Sequence, residues 1–344
     1  MKKKAIIVAV LMAAAGLVGN IGTPQAKADP VRIRIGWAQV PTQMTPLVAE
    51  LATKHPELFP NLNRSYTYEP VRFQGSPPQI QAFAAGEIEV AAFGPSALAL
   101  AVTNAHLDPR VVADIAQDGG SKGYYTTWWA VRKDSPIKTL DDMKGHTAIV
   151  NAKGATTDMF LREVLRRHGV ADSDFTEIEA NFTNMLPMLE AGKGDIAPVM
   201  AQFNHDFEAT GRYRVLFTTT DATGGDDQVL FWAMRADFIK AHRPAIVDML
   251  TDHMAAIRWF LDPANRNEGL AMAHDFTKES LQALDYAFTK DDVYRSPDLL
   301  PLIPPIQRDI DTAVSMKMLP ASIDVSKYVD LSMVKEAAKR FPPK

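Results

Sequence analysis

Along residues 31–235 the apolar positions switch repeatedly between a spacing of two and a spacing of three to four. That switching predicts strands alternating with helices. Val31, Ile33 and Ile35 alternate with Arg32 and Arg34 as a first strand. A loop over 36–42 follows, and Thr45-Pro46 opens a helix through Leu47, Val48 and Leu51. Val71 and Phe73 alternate as a second strand, and Gln74-Gly75-Ser76 turns the chain. Pro77 and Pro78 suit the first turn of a helix, where a missing N–H costs nothing. Ile80, Phe83 and Ala84 share one face of that helix, and Gly86 stands where a left-handed C-cap is wanted. Ile88, Val90 and Ala92 form the next strand, and Gly94-Pro95-Ser96 leads into another helix.

The second half repeats the scheme. Residues 111–115 read as a strand, 117–123 as a Gly-rich connection, and 124–131 as a strand of aromatic and β-branched residues. Thr139 caps a short helix that ends at Gly145, with Asp141 and Asp142 in its positive first turn. Strands are expected over 147–150, 175–180, 196–200, 215–219 and 229–234, with helices over 159–168 and 184–191. Arg162, Arg166, Arg167 and His168 read as a solvated basic face of the first of these helices, set at its C-terminal end. The acidic loop 221–227 lacks calcium-loop spacing and reads as solvated. Beyond Phe238 the chain is mostly helical, with an amphipathic stretch over 246–261 and Pro-punctuated segments that read as packing.

One segment echoes another. Ala84-Ala-Gly-Glu-Ile-Glu-Val-Ala-Ala-Phe93 parallels Glu190-Ala-Gly-Lys-Gly-Asp-Ile-Ala-Pro-Val199, 106 residues on. A repeat at that distance points to two similar α/β lobes rather than one large sheet. If 124–131 and 228–234 both cross between lobes, the chain divides into lobe one (29–125), lobe two (126–227) and a return to lobe one (228–344), with a hinge and a cleft between them.

Composition adds the compartment. Lys2, Lys3 and Lys4 precede an apolar run from Ala5 to Val18, too short to span a bilayer, and Ala26-Lys27-Ala28 offers a cleavage site. Residues 1–28 therefore read as an export signal, and 344 residues less these 28 leave 316. The segment holds four lysines and no acid, so its loss takes the net charge from −4 to −8. An acidic chain argues against nucleic acid and against an anionic membrane surface. With no cysteine there is no disulfide framework and no thiol chemistry, so burial alone holds the core.

A search for catalytic patterns finds little. Gly94-Pro95-Ser96 lacks the second Gly of a nucleophile elbow, no histidine pair has metal spacing, and His205-Asp206 are mere neighbours in sequence. No phosphate-cradling Gly motif occurs. What recurs is a binding pattern: Gly/Ser/Thr turns open helices at Gly75-Ser76, Gly94-Pro95-Ser96 and Gly154-Ala-Thr-Thr157. Such helix starts offer free N–H groups to polar or anionic ligands. Trp37, Tyr124, Tyr125 and Phe182 could supply apolar walls.

The chain resembles the periplasmic nitrate/sulfonate/taurine-type substrate-binding proteins of ABC importers. The resemblance rests on Ile35-Gly36-Trp37, Phe83-Ala-Ala-Gly-Glu-Ile-Glu-Val-Ala, Asp134-Ser-Pro-Ile-Lys-Thr-Leu-Asp-Asp-Met-Lys-Gly145, Gly154-Ala-Thr-Thr157 and Ala191-Gly-Lys-Gly-Asp195. It covers most of residues 31–200, and the Ser-Pro-Ile-Lys-Thr-Leu segment is its most specific part. It implies a two-lobed, type II periplasmic binding fold that closes on a ligand and docks on an inner-membrane permease. Site positions carried over are Trp37, Gln39 and Thr42, the Gly75-Ser76 turn, Gly94, Pro95 and Ser96, and Thr156-Thr157, with Tyr125, Phe182 and Gln202 as further candidates. Ala155 replaces a family Ser, and Gln202-Phe203-Asn204 stands where taurine binders have Trp-Glu-Pro, so the acid that would meet an amine is missing. Asp158 is expected to cap its helix rather than face the ligand.

The expectation is a periplasmic, monomeric receptor without cofactor or metal. It would hand a small sulfonate- or carboxylate-like solute to an ABC permease. Two rivals share the cleft: an exported enzyme and a ligand-binding sensory subunit.

Overall fold

In the computed structural model, which describes residues 29–151, 153 and 155–341, ten strands form two sheets of five. The proposed export signal lies outside the described residues. In chain order the elements are β1 (Val31–Trp37), α1 (Thr45–Lys54), β2 (Tyr66–Arg72), α2 (Ser76–Ala84), β3 (Val90–Phe93), α3 (Pro95–Thr103), β4 (Pro109–Asp118) and β5 (Trp128–Arg132). Next come β6 (Thr147–Val150), α4 (Thr156–Arg167), β7 (Thr176–Glu179), α5 (Phe182–Glu190), β8 (Ile196–Val199), α6 (Asn204–Thr210), β9 (Tyr213–Thr218), α7 (Thr219–Thr223) and β10 (Asp227–Arg235). The chain ends in helices α8 (Ala236–Phe260), α9 (Arg266–Thr277), α10 (Ile303–Ser315) and α11 (Ser332–Ala338).

The first sheet has the order β2-β1-β3-β10-β4 and the second β7-β6-β8-β5-β9. The two orders correspond strand for strand, and the sequence echo lies on the matching third strands, β3 and β8. Gly86 and Gly192 precede them with φ of +70° and +65°, a left-handed turn that explains why both copies keep Ala-Gly.

Two expected crossing strands do not cross. Residues 124–127 precede β5, which lies wholly in the second sheet, and β10 lies wholly in the first. The passages between sheets are instead the connections 119–127 and 219–226. Strand pairing needs regular alternation, and both connections are broken by glycines and threonines that turn the chain. Trp37 closes β1 instead of sitting in a loop, and Asp227, placed by sequence in a solvated loop, opens β10 at 1% exposure.

Alternation along the strands splits the core by face. Ile33, Ile35, Val112, Trp232 and Met234 meet α1 and α8 on one face of the first sheet. Phe93, Val111, Phe231 and Ala233 meet α2, α3 and α10 on the other. That second cluster continues into the second sheet through Trp129, Val131, Ala148 and Val150, covered by Phe160 and Leu161 of α4. The remaining face of the second sheet packs Ala130, Ile149 and Ala197 on α5 and α6.

Gly36 in β1 is a close approach. A Cβ there would stand 2.5 Å from Gln79 Oε1 and 3.1 Å from Ile88 Cδ1. Gln79 is 1% exposed, and its Oε1 accepts the Ala92 N–H at 2.9 Å. Gly36→Ala must push that amide off its bond, so we expect a loss of about 1–3 kcal/mol, read as a fall in urea midpoint without a change in slope. An unchanged midpoint would mean that α2 shifts freely over the sheet.

Candidate functional site

The site follows from strand direction. β2 and β3 run parallel to β1, so all three end at one edge of the first sheet, and β4 ends there too because it and β3 both run antiparallel to β10. In the second sheet β6, β7 and β8 are parallel and end at one edge, where β5, antiparallel to β8, begins. The connection from the end of β4 to the start of β5 therefore joins the two C-terminal edges. Ligands of open α/β sheets bind outside such edges.

Helices start along both edges. α2 begins after Gly75 and α3 after Gly94, while α4 begins after Ala155 and α5 after Asn181, and none of these four N-cap residues makes a side-chain cap. A helix leaves its first-turn N–H groups without intrahelical partners. Prolines thin this set: α2 has Pro77 and Pro78 in its first turn and α3 has Pro95. The donors that remain at the first edge include the N–H groups of Ser76, Ser96 and Ala97. By contrast Thr218 caps α7 with its own hydroxyl, and Asp221 bonds back to the Thr218 N–H. Gly94 is fixed by a close approach of a different kind, since a Cβ there would lie 3.3 Å from the Val229 carbonyl.

Trp37 ends β1 at 6% exposure, and its Nε1–H has no hydrogen-bond partner. Phe276, at the end of α9, meets the indole edge-on with centroids 5.6 Å apart, and the Arg72 guanidinium lies 5.5 Å from the ring centroid. A buried indole N–H without an acceptor is costly. Behind it the loop is held by Gln43, whose Oε1 accepts the Ala38 N–H at 2.6 Å, and by Arg295, which donates to the Pro41 carbonyl at 3.0 Å. Gln39 is exposed and Thr42 half-buried on this loop.

On the second edge, Thr157 is half-buried and its hydroxyl donates to the Asn151 side-chain carbonyl at the end of β6. Thr156 is the first residue of α4, and Gly154 lies outside the described residues. Phe182 is the first residue of α5, half-buried against the cluster under that helix, and Gln202 is half-buried in the turn after β8. Tyr125 lies on the first connection, where its hydroxyl donates to the Val199 carbonyl at 2.6 Å. It borders a polar cavity of about 280 Å³, together with Tyr124, Trp128, Asn204, Glu208 and Tyr286. Among the described residues none of the Gly/Ser/Thr turns lines that cavity; of the sequence candidates Tyr124 and Tyr125 do.

In the basic stretch of α4, Arg166, Arg167 and His168 are exposed as expected, whereas Arg162 is half-buried. Arg162 donates from Nε to Asp158 at 2.7 Å, reaches Glu177, and lies 3.1 Å from Asp172. Arg166 also pairs with Asp172, Arg167 donates to the Ala222 carbonyl, and His168 faces Asp141. Asp158 is 1% exposed. Its carboxylate, in the first turn of α4, accepts from Arg162 one turn on. Burial pushes Glu177 up to about 7, with the nearby Asp158 adding to the effect. Sequence reading missed Asn151, Gln79, Phe276 and Arg162 as supports of the edges. Gln79 and Phe276 act across 43 and 239 residues of chain from Gly36 and Trp37, a separation that no local pattern encodes.

Comparison with known proteins follows the same lines. The family model described as ABC transporter, phosphonate, periplasmic substrate-binding protein matches residues 39–257. The fold is similar to the periplasmic aliphatic sulphonate binding protein SsuA of Escherichia coli, with a TM-score of 0.70, 19% identity, and 88% of this chain and 92% of that one covered. It is also similar to the alkanesulfonate-binding protein SsuA of Xanthomonas axonopodis pv. citri bound to MOPS (0.65, 19%, 89% and 100%). A third similar structure is the periplasmic nitrate-binding protein NrtA of Synechocystis PCC 6803 (0.63, 16%, 91% and 90%). No curated protein matches the chain.

Arg162 gives a test of how the start of α4 is held. Its removal takes one cation from Asp158 and Glu177, 1% and 5% exposed as side chains. We expect Arg162→Met to cost about 3–5 kcal/mol at neutral pH. The penalty should shrink toward about pH 5, where Glu177, raised by burial to about 7, carries a proton and its buried charge disappears. Urea unfolding of both proteins at the two pH values measures this. A penalty that does not change with pH would assign the effect to packing.

Proposed function

We propose that this chain, which belongs to the periplasmic substrate-binding family of ABC transporters, captures a small organic monoanion, a sulfonate or carboxylate, between its two sheet edges and delivers it to an inner-membrane permease. The observation that carries this reading is the set of four helix starts without side-chain caps on the two edges joined by the connections. They offer partial positive charge and N–H donors to an anion. The unpartnered Trp37 Nε1–H adds a donor on an apolar body, which suits a ligand with an organic tail.

The charge of the ligand follows from what is left unpaired. Arg162 of α4 is spent on Asp158, Glu177 and Asp172, which among the described residues leaves Arg72 beside Trp37 as a single cation at the first edge. Neutral donors balance one negative charge more readily than two, which favours sulfonate over a phosphonate dianion. The site residues of this reading are Trp37, Gln39, Thr42, Gly75, Ser76, Gly94, Pro95, Ser96, Thr156, Thr157 and Gln202, with Tyr125 and Phe182 as walls. The lobe boundaries fall within the connections 119–127 and 219–226. The receptor works as a monomer that releases its ligand unchanged, after removal of a signal ending near Ala28.

A thermal-shift series with ethanesulfonate, acetate, methylphosphonate and nitrate tests the reading. A ligand at 100 times its Kd stabilises by about 2.7 kcal/mol. Ethanesulfonate should raise Tm most. Trp37→Phe and Ser96→Ala should each weaken its binding by about 5–10-fold, the worth of one hydrogen bond, and Ser96→Ala should leave the ligand-free Tm in place. No shift with any anion would overturn the proposal, and conversion of the recovered ligand would favour an enzyme.

A further inference from the structure

The two connections meet at a group of buried carboxyls that the ligand site does not use. Asp118 closes β4, Asp227 opens β10, and the two are direct cross-strand partners. The chain leaves the first sheet at one and re-enters it at the other. Asp309 reaches the same place from α10 through its neighbour Arg308. Arg308 Nη2 lies 2.6 Å from Asp227 Oδ1 and 3.0 Å from Asp309 Oδ1. Asp118, Asp227 and Asp309 are 3%, 1% and 2% exposed.

The hydrogen bonds do not close if every carboxyl is ionised. Asp309 Oδ2 and Asp118 Oδ1 are buried without a donor. A proton on Asp309 would supply one, directed at Asp227. Burial raises both members of this pair above the ordinary carboxylate range, and the charge of Asp227 lifts Asp309 further. Burial also pushes Asp118 up to about 7.

The surroundings bring little to balance a second negative charge. From α4, Glu163 and Arg167 are the charged groups whose fields meet at this place, Glu163 sensing both Arg167 and Arg308. Arg167 is engaged with the Ala222 carbonyl. On the connections Lys122 is paired with Asp226. α3 carries no charged residue. Beside α10, Asp324 and Lys327 pair with each other at 3.5 Å near the surface, and Asp311 accepts from Gln307 and Ser322.

The position of α10 makes the cluster mechanical. It packs on α3 of the first lobe and on α4 of the second, and Ile306 and Ile310 belong to the apolar cluster that runs through both. We propose that Asp309, Asp227 and Arg308 form a proton-operated latch at the lobe connections, engaged while Asp309 carries its proton and released when that proton passes to bulk water. Release leaves two adjacent carboxylates on one guanidinium. Hydrating them requires α10 and the 219–226 connection to part from α4, which separates the lobes. A group whose pKa is raised in the engaged state favours that state at low pH and loses its hold as the pH rises through the raised value.

The test needs no ligand, so its failure would leave the anion reading untouched. The chain has no cysteine. Glu87→Cys and Lys193→Cys, exposed and just before β3 and β8 at the outer ends of the two sheets, therefore give two unique sites for spin labels. Pulsed electron resonance on the ligand-free protein should show a longer label distance at about pH 9.5 than at about pH 6. Asp309→Asn keeps a neutral group with a donor and should hold the short distance at both values. Arg308→Gln removes the cation and should move the transition to higher pH. An unchanged distance in the parent, an Asp309→Asn protein that follows the parent, or an unmoved transition in Arg308→Gln would each overturn the latch.

Discussion

Two connections tie the sheets together, and they must pass in contact. A Cβ on Gly120 would stand 2.1 Å from Thr220 Oγ1, and one on Gly119 would stand 2.6 Å from Tyr294 Cβ. Thr220 is held to Thr126 by two bonds, from its N–H at 3.2 Å and its hydroxyl at 3.1 Å, and the Thr219 N–H donates to the Thr127 carbonyl at 2.9 Å. No residue with a side chain fits at Gly120 without parting the pair. This contact sets which edges of the sheets are joined, and with them where helix starts can converge.

The ligand edges and the connections divide the charge of the molecule between them. Arg162 is committed to three carboxylates and Arg34 to Glu89 at 2.5 Å, the latter at the outer end of β3, while Arg72 stands at the first edge beside Trp37. What the edges present is mostly neutral, made of backbone N–H groups, hydroxyls and an indole. Such donors bind an anion without holding it by a full opposite charge, which suits a receptor that must also let go. The connections do the opposite and bury carboxyls in excess of their one guanidinium. Charge that is scarce where binding occurs is concentrated where motion would occur.

Much of the fold was legible because it depends on local pattern. The 147–150 strand, the Thr45 and Pro95 helix starts and the left-handed Gly86 and Gly192 all follow from spacing and from single glycines or prolines. The echo at Ala85-Gly86 and Ala191-Gly192 marked matching strands because both turns need the same positive φ. Misreadings occurred where partners are distant. Asp227 reads as a loop acid among Gly224, Gly225 and Asp226, and nothing nearby in the chain announces Arg308, 81 residues on. Arg162 looks like part of a basic face until β7 brings Glu177 beside it. Residues 124–127 have strand composition, yet Tyr125 and Thr126 are used for cross-chain bonds that a regular ladder would not allow.

The same nine-residue connection carries both halves of the molecule's chemistry. Tyr125 bonds to the end of β8 and borders the cavity between the lobes, and two residues later the Thr127 N–H donates to Asp118 at 2.9 Å. A rotation of the second sheet that carries Val199 must pull on Tyr125, and through it on Thr127. Asp118 would then lose the donor that offsets part of its burial, and its neighbour Asp227 would feel a changed field. Lobe position and the ionisation of the cluster are thus tied through two hydrogen bonds on one strand of backbone. The coupling has to run both ways, since whatever shifts the protonation of the carboxyls also shifts the lobes. Ligand contacts on the edges and proton occupancy at the connections therefore act on one conformational equilibrium.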